Sequence, residues 1–448
     1  MIYMKTNIFI ITCFLFLGAL IMSSCNKSEE RLKGVTKQNV VSSFPQTGFE
    51  EDIFTVYGNN LNNSSIRITF NDKDLNIIEK YNDKVLAVIP GKENANEAQV
   101  KVYMNSELVL SSVFTYDVKE LLYKVITYAG TGERGFLDGP LLSAKLWYCE
   151  GVEYDNLGNL YIADRDNNTV RKIAKNSDEI TTLLGNNRLS GYINGPANIA
   201  RLNYPWKIAA DNNGNIFVAD GGNSAIRKID NSGNVTTYAG TNSPGLVDGT
   251  TTTARFKRPV DVIFDKTGNL YVADDNNHVI RKISTDGTVT TLAGNGTPGY
   301  ADGSKSVSRL NLPSGLALDD SGNLYIADRM NNRIRKLSPD GTLSTLVGTT
   351  AGSIDGPFTT ATINQPYGIA YHKAENSLII AELGGHKIRK IDLTEQVVTT
   401  IAGSTQGFAD GYGTSAKFNQ PTDVTIDPEG NIVVADLTNS RIRKIIKK

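Results

Sequence analysis

The sequence is poor in several residue types, and each shortage excludes a class of protein. It has 448 residues but only 3 cysteines, too few for a disulfide framework. Its 46 lysines and arginines are balanced by 47 aspartates and glutamates, so no basic excess is available to neutralise phosphates, and nucleic acid is not expected as a partner. With 41 glycines and 14 prolines, the chain is neither collagenous nor of low complexity. These limits leave an ordinary globular protein that is long enough for more than one hydrophobic core.

One long apolar run is present, at residues 8–22, and it has the length of a signal peptide rather than of a membrane span. The sequence MSSC that ends at Cys25 resembles the lipobox of bacterial lipoproteins, although methionine stands where leucine is usual. The resemblance implies cleavage of a signal peptide over residues 1–24, acylation of Cys25 and a polar tether over residues 25–32. It also implies a cell-envelope location, lipid-anchored in the outer membrane, and the tether is similar to the export tag of some surface lipoproteins. An uncleaved helix or plain secretion is the alternative.

Residues 33–118 alternate apolar and polar residues in short runs separated by turn residues, which predicts an antiparallel all-β domain. The sequences PQTG (45–48), FTVYGNNL (54–61), VIP (88–90) and FTY (114–116) resemble the IPT/TIG family of immunoglobulin-like domains. The resemblance implies a β-sandwich that acts as a spacer or as an interaction module. The segment contains no recognisable catalytic cluster.

The rest of the chain, residues 119–448, repeats itself six times. Each copy carries a motif of the type GNLYIAD that ends in an acid, and the period is about 54 residues. Each copy is predicted to form four strands, and a unit of this size cannot bury its apolar faces alone. The repeats therefore predict a propeller or a solenoid.

The two ends of the repeat array favour a closed ring. The sixth copy stops at Lys448 without a fourth strand, while an extra fourth strand near residue 124 precedes the first copy. That strand is expected to complete the last sheet, which removes the exposed edges of an open array. The pattern resembles the NHL-repeat family of six-bladed β-propellers. The expected fold class is all-β, with a six-bladed β-propeller preceded by an immunoglobulin-like β-sandwich.

An arginine follows each motif acid by seven residues. Because the two strands concerned form a hairpin, the acid and the arginine can meet across it as a charge-assisted pair. A catalytic acid is needed once rather than six times, so the pairs are interpreted as structural. They are Asp164 with Arg171, Asp220 with Arg227, Asp274 with Arg281, Asp328 with Arg335, Glu382 with Arg389 and Asp436 with Arg443.

A second repeated motif, of the type Gly-x-x-Asp-Gly, precedes each inner strand, with asparagine replacing the acid in the second copy. Its glycines permit unusual backbone conformations, and its acid can bond nearby backbone amides. One carboxylate per loop does not supply the several oxygen ligands that calcium takes, so these loops are interpreted as turns.

Function is expected where the repeats differ. In a propeller, the loops before the inner strands and the turns between the second and third strands open on one face around the axis. Aromatic side chains with polar neighbours there suit a carbohydrate or protein ligand, through stacking and hydrogen bonds. The opposing interpretation is that the tryptophans only fill the junctions between blades. The candidate ligand-binding residues are Trp147, Tyr148, Glu150, Arg165, Trp206, His278, Arg329 and Tyr367.

An enzyme is the alternative function, because metal-dependent lyases and lactonases are found among similar propellers. Glu150, Asp261 and Asp423 lie near the start of three inner strands and could form an axial acidic site for calcium or another divalent ion. The three histidines are not expected to converge on one ion, and no nucleophile with an adjacent base is recognisable. The sequence therefore favours a binding module, with no catalytic residue, metal ligand or cofactor assigned.

Overall fold

The computed structural model describes residues 41–43, 47–48, 53–59, 61–90, 97–116, 123–185 and 188–447. Contacts divide the chain into two compact units, Met1–Glu120 and Leu121–Lys448. Within the described ranges every regular element is a strand or a 3-10 helix of three residues, which confirms the all-β prediction. The expected signal peptide, tether and Cys25 lie outside the described residues.

The described residues of the first unit form two sheets with a phenylalanine-rich core between them. Phe54, Phe70 and Phe114 pack edge to face, with ring centroids 5.1 to 5.8 Å apart. Along Glu97–Met104 every second residue is buried, as expected for a strand with one face on a core. In spatial order one sheet contains Val41–Ser43, Ile53–Gly58, Lys84–Val88 and Ile77–Lys80, and the other contains Thr47–Gly48, Glu107–Tyr116, Glu97–Met104, Ile66–Phe70 and Lys73–Asp74. A 3-10 helix spans Leu61–Asn63.

The second unit contains six sheets in its described residues, and each sheet is one blade of a propeller. All strand pairs within a blade are antiparallel, and a strand of two residues extends the outer edge of every blade except the fourth. From the inner strand outward, blade 1 contains Cys149–Tyr154, Leu160–Asp164, Thr169–Ile173, Glu179–Leu184 and Gly139–Pro140, and blade 2 contains Pro205–Ala210, Ile216–Asp220, Ala225–Ile229, Asn234–Ala239 and Gly195–Pro196. In the same order, blade 3 contains Pro259–Phe264, Leu270–Asp274, Val279–Ile283, Thr288–Ala293 and Gly249–Thr250, and blade 4 contains Pro313–Leu318, Leu324–Asp328, Arg333–Leu337 and Leu343–Val347. Blade 5 contains Pro366–His372, Ser377–Glu382, Lys387–Asp392, Val397–Ala402 and Gly356–Pro357, and blade 6 contains Pro421–Ile426, Ile432–Asp436, Arg441–Lys447, Tyr123–Ala129 and Gly411–Tyr412.

Short 3-10 helices follow several of these strands. Four of them form the turn between the second and third strands of blades 1 to 4, and each starts directly after the motif acid. The helices of this unit span Arg165–Asn167, Gly221–Asn223, Asp275–Asn277, Arg329–Asn331, Lys373–Glu375 and Gly413–Ser415.

The ring closes as the sequence predicts. Tyr123–Ala129, the strand that precedes the first repeat, pairs antiparallel with Arg441–Lys447 and supplies the outer strand of blade 6. Each inner strand packs against the inner strand of the next blade, and the sixth packs against the first. The strands from the two ends of the array therefore share one sheet, which leaves no unpaired blade edge at the seam.

Every motif acid meets its arginine in a completely buried ion pair. The distances between the arginine Nη1 and the carboxylate oxygen are 2.5 to 3.1 Å, and both side chains are fully buried in all six blades. A buried arginine also needs partners for its remaining donors, and it finds them in two loop carbonyls and in the second repeated motif. The acid of that motif, Asp138 in blade 1, accepts from Nη2 of Arg171 at 2.5 Å. These loop acids thus bind the buried arginine as well as backbone and threonine groups, a role that sequence reasoning missed.

The same motif acid also fixes the loop before the inner strand. In blade 1 the second carboxylate oxygen of Asp164 accepts a hydrogen bond from the backbone N–H of Trp147 at 2.8 Å. Asp220 holds Asn203 in the same way at 2.8 Å, and equivalent bonds form in blades 3, 4 and 6. Burial raises the pKa of Asp164 and Asp220 to about 6, against the opposing effect of the arginines and hydrogen bonds.

Replacing one of these arginines is expected to destabilise the propeller strongly. Arg281→Met removes the partner of Asp274 and leaves a buried carboxylate uncompensated, which costs about 3 to 5 kcal/mol. Chemical denaturation followed by circular dichroism measures the change. The matched control is Arg255→Met, an exposed arginine of the same repeat. Equal stability of the Arg281 and Arg255 variants would contradict the structural role.

Candidate functional site

The propeller axis is lined by the third residue of each inner strand, which is glycine in three blades and a charged residue in the other three. The residues are Gly151, Lys207, Asp261, Gly315, Gly368 and Asp423. A Cβ on Gly151 would lie 2.6 Å from the carbonyl oxygen of Trp206, and one on Gly368 would lie 2.6 Å from the Cα of Asp423. Glycine is therefore required where neighbouring inner strands approach most closely.

A buried lysine occupies the axis between two aspartates. Lys207 Nζ lies 2.8 Å from Asp423 and 3.2 Å from Asp261, and all three side chains are almost completely buried. Each aspartate also accepts a hydrogen bond from a backbone N–H of the next blade: Asp261 from Leu316 and Asp423 from Val152. Burial opposes the charge of Lys207, but the two carboxylates raise its pKa above the ordinary value; burial raises the pKa of Asp261 to about 6.

The acids expected to form an axial metal site therefore meet, but with an ammonium group between them. Asp261 and Asp423 converge on Lys207, while Glu150 pairs with Arg165 instead. Within the described ranges no group of three or more His, Cys, Asp or Glu side chains is arranged to hold a metal ion. This donor set does not fit calcium, which takes six to eight oxygen ligands.

Below Lys207 the axis opens into a cavity of about 240 Å³ to which all six inner strands contribute. Glu153 lines it and accepts a hydrogen bond from the Thr425 hydroxyl at 3.2 Å. Burial, together with the nearby carboxylate of Asp423, raises the pKa of Glu153 to about 8. Sequence reasoning missed both Lys207 and Glu153, although a charged residue on an inner strand was a signal that could have identified them.

On the other side of Lys207 lies the face that carries the loops before the inner strands, here called the loop face. At its centre the Arg165 guanidinium lies 2.6 Å from Glu150 and 5.2 Å from the ring centroid of Trp206. Trp206 stacks on Tyr367 with ring centroids 6.5 Å apart and an angle of 22° between the rings. The Tyr367 hydroxyl is hydrogen-bonded to Glu150, whose pKa is raised by burial against the effect of Arg165.

Trp206 fits there because the neighbouring turn contains glycine. A Cβ on Gly221 would collide with the indole ring of Trp206, whereas the other turns of this type begin with bulkier residues such as Arg165 and Arg329. The Nε1 of Trp206 is buried and has no hydrogen-bond partner among the described residues. Trp206 is the half-buried centre of the group.

A second ion pair borders the same aromatic rings. Arg258 donates from Nε to the buried Asp275 at 2.7 Å, and its guanidinium lies 5.6 Å from the ring centroid of Trp206. Arg329 lies 5.3 Å from the ring centroid of Tyr367 and 3.7 Å from Asp275. We call Glu150, Arg165, Trp206, Arg258, Asp275, Arg329 and Tyr367 the central cluster.

Two other candidate aromatic residues lie beside the central cluster. Tyr148 is placed between Arg134 and Arg165, whose guanidinium groups lie 4.5 and 5.3 Å from its ring centroid. The Arg188 guanidinium lies 5.0 Å from the ring centroid of Trp147, and no ring or guanidinium contact joins Trp147 to Trp206 within the described residues. Tyr148 thus adjoins the cluster through Arg165, and Trp147 forms a separate aromatic surface.

His278 joins two blades. Its Nδ1 accepts a hydrogen bond from the backbone N–H of Leu312 at 3.1 Å, and His386 accepts one from Gln420 at 3.0 Å. Asn168 and Asn332 accept the same bond in other blades at 2.9 Å. In each of these four bonds the residue that donates its backbone N–H directly precedes a proline and has a positive φ, between 48° and 56°. Each bond therefore stabilises a strained backbone conformation.

Three of the candidate ligand-binding residues are buried or bonded within the propeller. Glu150 and Tyr367 are 1% and 4% exposed, because the inner strands pack closely at the axis, so they support the loop face from beneath. His278 is committed to a bond between blades. Arg165, Trp206 and Arg329 are brought together at the surface, and Arg258 and Asp275 are additional members that sequence reasoning missed.

Comparison with known proteins agrees with this fold. The NHL repeat model matches residues 146–173, 202–229, 310–337 and 418–445, and the IPT/TIG domain model matches residues 39–117. NHL repeats and an IPT/TIG domain are thus present in the chain. Among the described residues no helix is long and apolar enough to cross a bilayer.

Relatives and solved structures extend the comparison. Human NHL repeat-containing protein 2 is 29% identical over 325 residues, which are 63% of this chain and 44% of that protein. This chain therefore spans less than half the length of that curated relative. A solved structure described as an auxiliary nutrient binding protein from Bacteroides thetaiotaomicron has a TM-score of 0.62 at 18% identity, covering 92% of this chain and 98% of its own. Another from Bacteroides ovatus, described in the same words, has a TM-score of 0.57 at 18% identity, covering 92% and 98%.

The two bridging histidines are expected to make the fold sensitive to mild acid. Burial lowers the pKa of His278 and His386 below the ordinary value near 6.5, so these two side chains bind fewer protons in the folded state than in the unfolded state. The stability that they contribute is complete above about pH 6.5 and is lost as the pH falls through the lowered values. The variant His278→Asn, His386→Asn keeps an acceptor and is expected to lose less stability between pH 7 and pH 5.

Thermal unfolding across that pH range measures the effect. The matched variant Asn168→His adds a third histidine at an equivalent position and is expected to steepen the pH dependence. If both variants followed the pH profile of the parent protein, the histidine assignment would be wrong.

Proposed function

We propose that this protein is a lipid-anchored binding module of the bacterial outer membrane, and that its propeller binds a carbohydrate or protein ligand on the loop face. The observation that carries the proposal is the half-buried Trp206, which stands at the centre of the face between the guanidinium groups of Arg165 and Arg258. Aromatic and arginine side chains held in fixed positions are the typical anchors of a binding surface.

The side chains of the central cluster are held in fixed positions before a ligand binds. Arg165 is fixed by Glu150 at 2.6 Å and by Asp166 at 2.9 Å, and Trp206 is fixed by Gly221 and Tyr367. A ligand that meets rigid side chains loses less conformational entropy on binding, because the protein does not have to become ordered. The two similar structures described as nutrient binding proteins agree with a binding role for this fold.

The enzyme alternative finds less support in the described residues. The carboxylates that an axial metal would require are paired with Lys207 and Arg165. A cation could enter only by displacing those side chains from buried positions. The geometry therefore favours binding over metal-dependent lyase or lactonase chemistry.

Removal of Trp206 is expected to abolish most of the binding. The full-length protein in detergent is titrated calorimetrically with panels of soluble polysaccharides and peptides, and the tightest ligand is used for comparison. Trp206→Ala is expected to weaken binding at least about tenfold, which corresponds to ~1.4 kcal/mol. Trp147→Ala, which removes the other tryptophan, is expected to have a smaller effect. If the variant that carries both substitutions bound with unchanged affinity, or if no member of the panels bound the parent protein, the proposed site would be refuted.

The anchor is tested separately. Acyl chains on Cys25 bind a bilayer with about 0.8 kcal/mol per buried CH₂ group, so Cys25→Ala is expected to move the protein from the membrane fraction to the soluble fraction. Cys149→Ala is the matched control, because Cys149 is a buried free thiol inside blade 1. Immunoblotting of separated fractions measures both. Membrane retention of the Cys25 variant would contradict the lipoprotein assignment.

A further inference from the structure

The charges of the central cluster are arranged in two layers. The arginines reach solvent, with exposed side-chain fractions of 18% for Arg165, 33% for Arg258 and 18% for Arg329. Their acidic partners Glu150 and Asp275 are only 1% and 2% exposed, so Asp166, which is 20% exposed beside Arg165, is the one acidic partner near the surface among the described ion pairs of these arginines. The layer that a ligand meets is therefore cationic, although the protein as a whole carries a formal charge of −1.

Of these three arginines, Arg329 makes the weakest ion pair with an acid. Its ion pair with Asp275 is long, at 3.7 Å, and Asp275 is bound more closely by Arg258. Within the described part of the chain, Nε of Arg329 is buried and has no hydrogen-bond partner. A guanidinium group has five donors, and a buried donor without an acceptor is costly. The Nη groups of Arg329 make no hydrogen bond within the described part of the chain, and they are the donors left for a ligand beside the aromatic rings.

A planar anion is the best partner for the free donors of the Arg329 guanidinium group. Carboxylates accept two parallel hydrogen bonds from one guanidinium group, in a geometry that matches its fork. Arg329 and Trp206 both adjoin Tyr367, at centroid distances of 5.3 and 6.5 Å. One small ring that bears a carboxylate can therefore contact the indole and the guanidinium group at the same time.

We propose that the ligand of the loop face is an acidic saccharide, in which a uronic acid packs against the exposed part of Trp206 and its carboxylate binds Arg329. This inference rests on the proposed function and names the class of its ligand. A saccharide is favoured over an acidic peptide because the central cluster places the half-buried indole ring of Trp206 near the guanidinium group, and a sugar ring can pack against its exposed part. An acidic peptide would need the guanidinium group alone.

The test compares ligands that differ in one property. Uronate hexasaccharides built from galacturonate, mannuronate, guluronate or glucuronate are titrated into the full-length protein and followed by calorimetry. Cellohexaose is the neutral saccharide, hexaglutamate is the acidic peptide, and a single-stranded DNA hexamer is the phosphate-bearing chain. At least one uronate hexasaccharide is expected to bind ten times more tightly than each of the other three, and to weaken as salt is added.

The variants Arg329→Ala and Arg329→Lys identify the partner of the carboxylate. Both are expected to bind the uronate hexasaccharide at least tenfold more weakly, because lysine lacks the planar fork. Arg309→Ala, an exposed arginine in the loop before blade 4, is expected to bind like the parent protein. Thermal midpoints of all variants confirm that they are folded.

Each contrary result has a distinct meaning. If cellohexaose binds as tightly as the uronates and Arg329→Ala has no effect, the acidic class is wrong, whereas sensitivity to Trp206→Ala would retain the proposed function. Tighter binding of hexaglutamate or of the DNA hexamer would likewise overturn the saccharide assignment. If no uronate binds, the inference fails, and the wider ligand panels then decide the proposed function by themselves.

Discussion

The buried ion pair between each motif acid and its arginine is the interaction on which the rest of the propeller depends. In blade 2, one oxygen of Asp220 accepts from Arg227 and the other holds the backbone of Asn203. The arginine in turn binds two loop carbonyls and Asn194. A single pair thereby connects the second strand, the third strand and the loop that leads to Trp206. The loop face can vary in sequence because this connection holds its backbone in place.

The residue types that line the propeller axis are determined by the packing of the inner strands rather than by these ion pairs. The inner strands are so close that glycine is required where one strand meets the next, and the remaining third positions carry Lys207, Asp261 and Asp423. Lys207 lies between the two carboxylates and occupies the position that a bound cation would take beside them. The proposed ligand site therefore lies on the loop face, where the guanidinium groups are partly exposed.

The repeat pattern was sufficient to predict the all-β fold, the closing strand near residue 124 and the residues of the six acid and arginine pairs, because these features follow from spacing along the chain. The central cluster was only partly predictable. Arg258 and Asp275 face Trp206 and Arg329 across blades, and such contacts depend on how close the blades are at the axis. Burial of Tyr367 and the bond from Leu312 to His278 have the same origin, since they depend on the packing of blades rather than on sequence periodicity.

The most direct test of the account is to locate the bound ligand on the protein. Amide hydrogen exchange of the full-length protein is measured with and without its tightest ligand. The account predicts slower exchange in the loops and turns around Trp206, Arg165 and Arg329, and unchanged exchange in the turns at the opposite end of the blades, such as residues 265–269. Protection confined to those opposite turns, or to the IPT/TIG domain, would contradict the assignment of the loop face as the binding site.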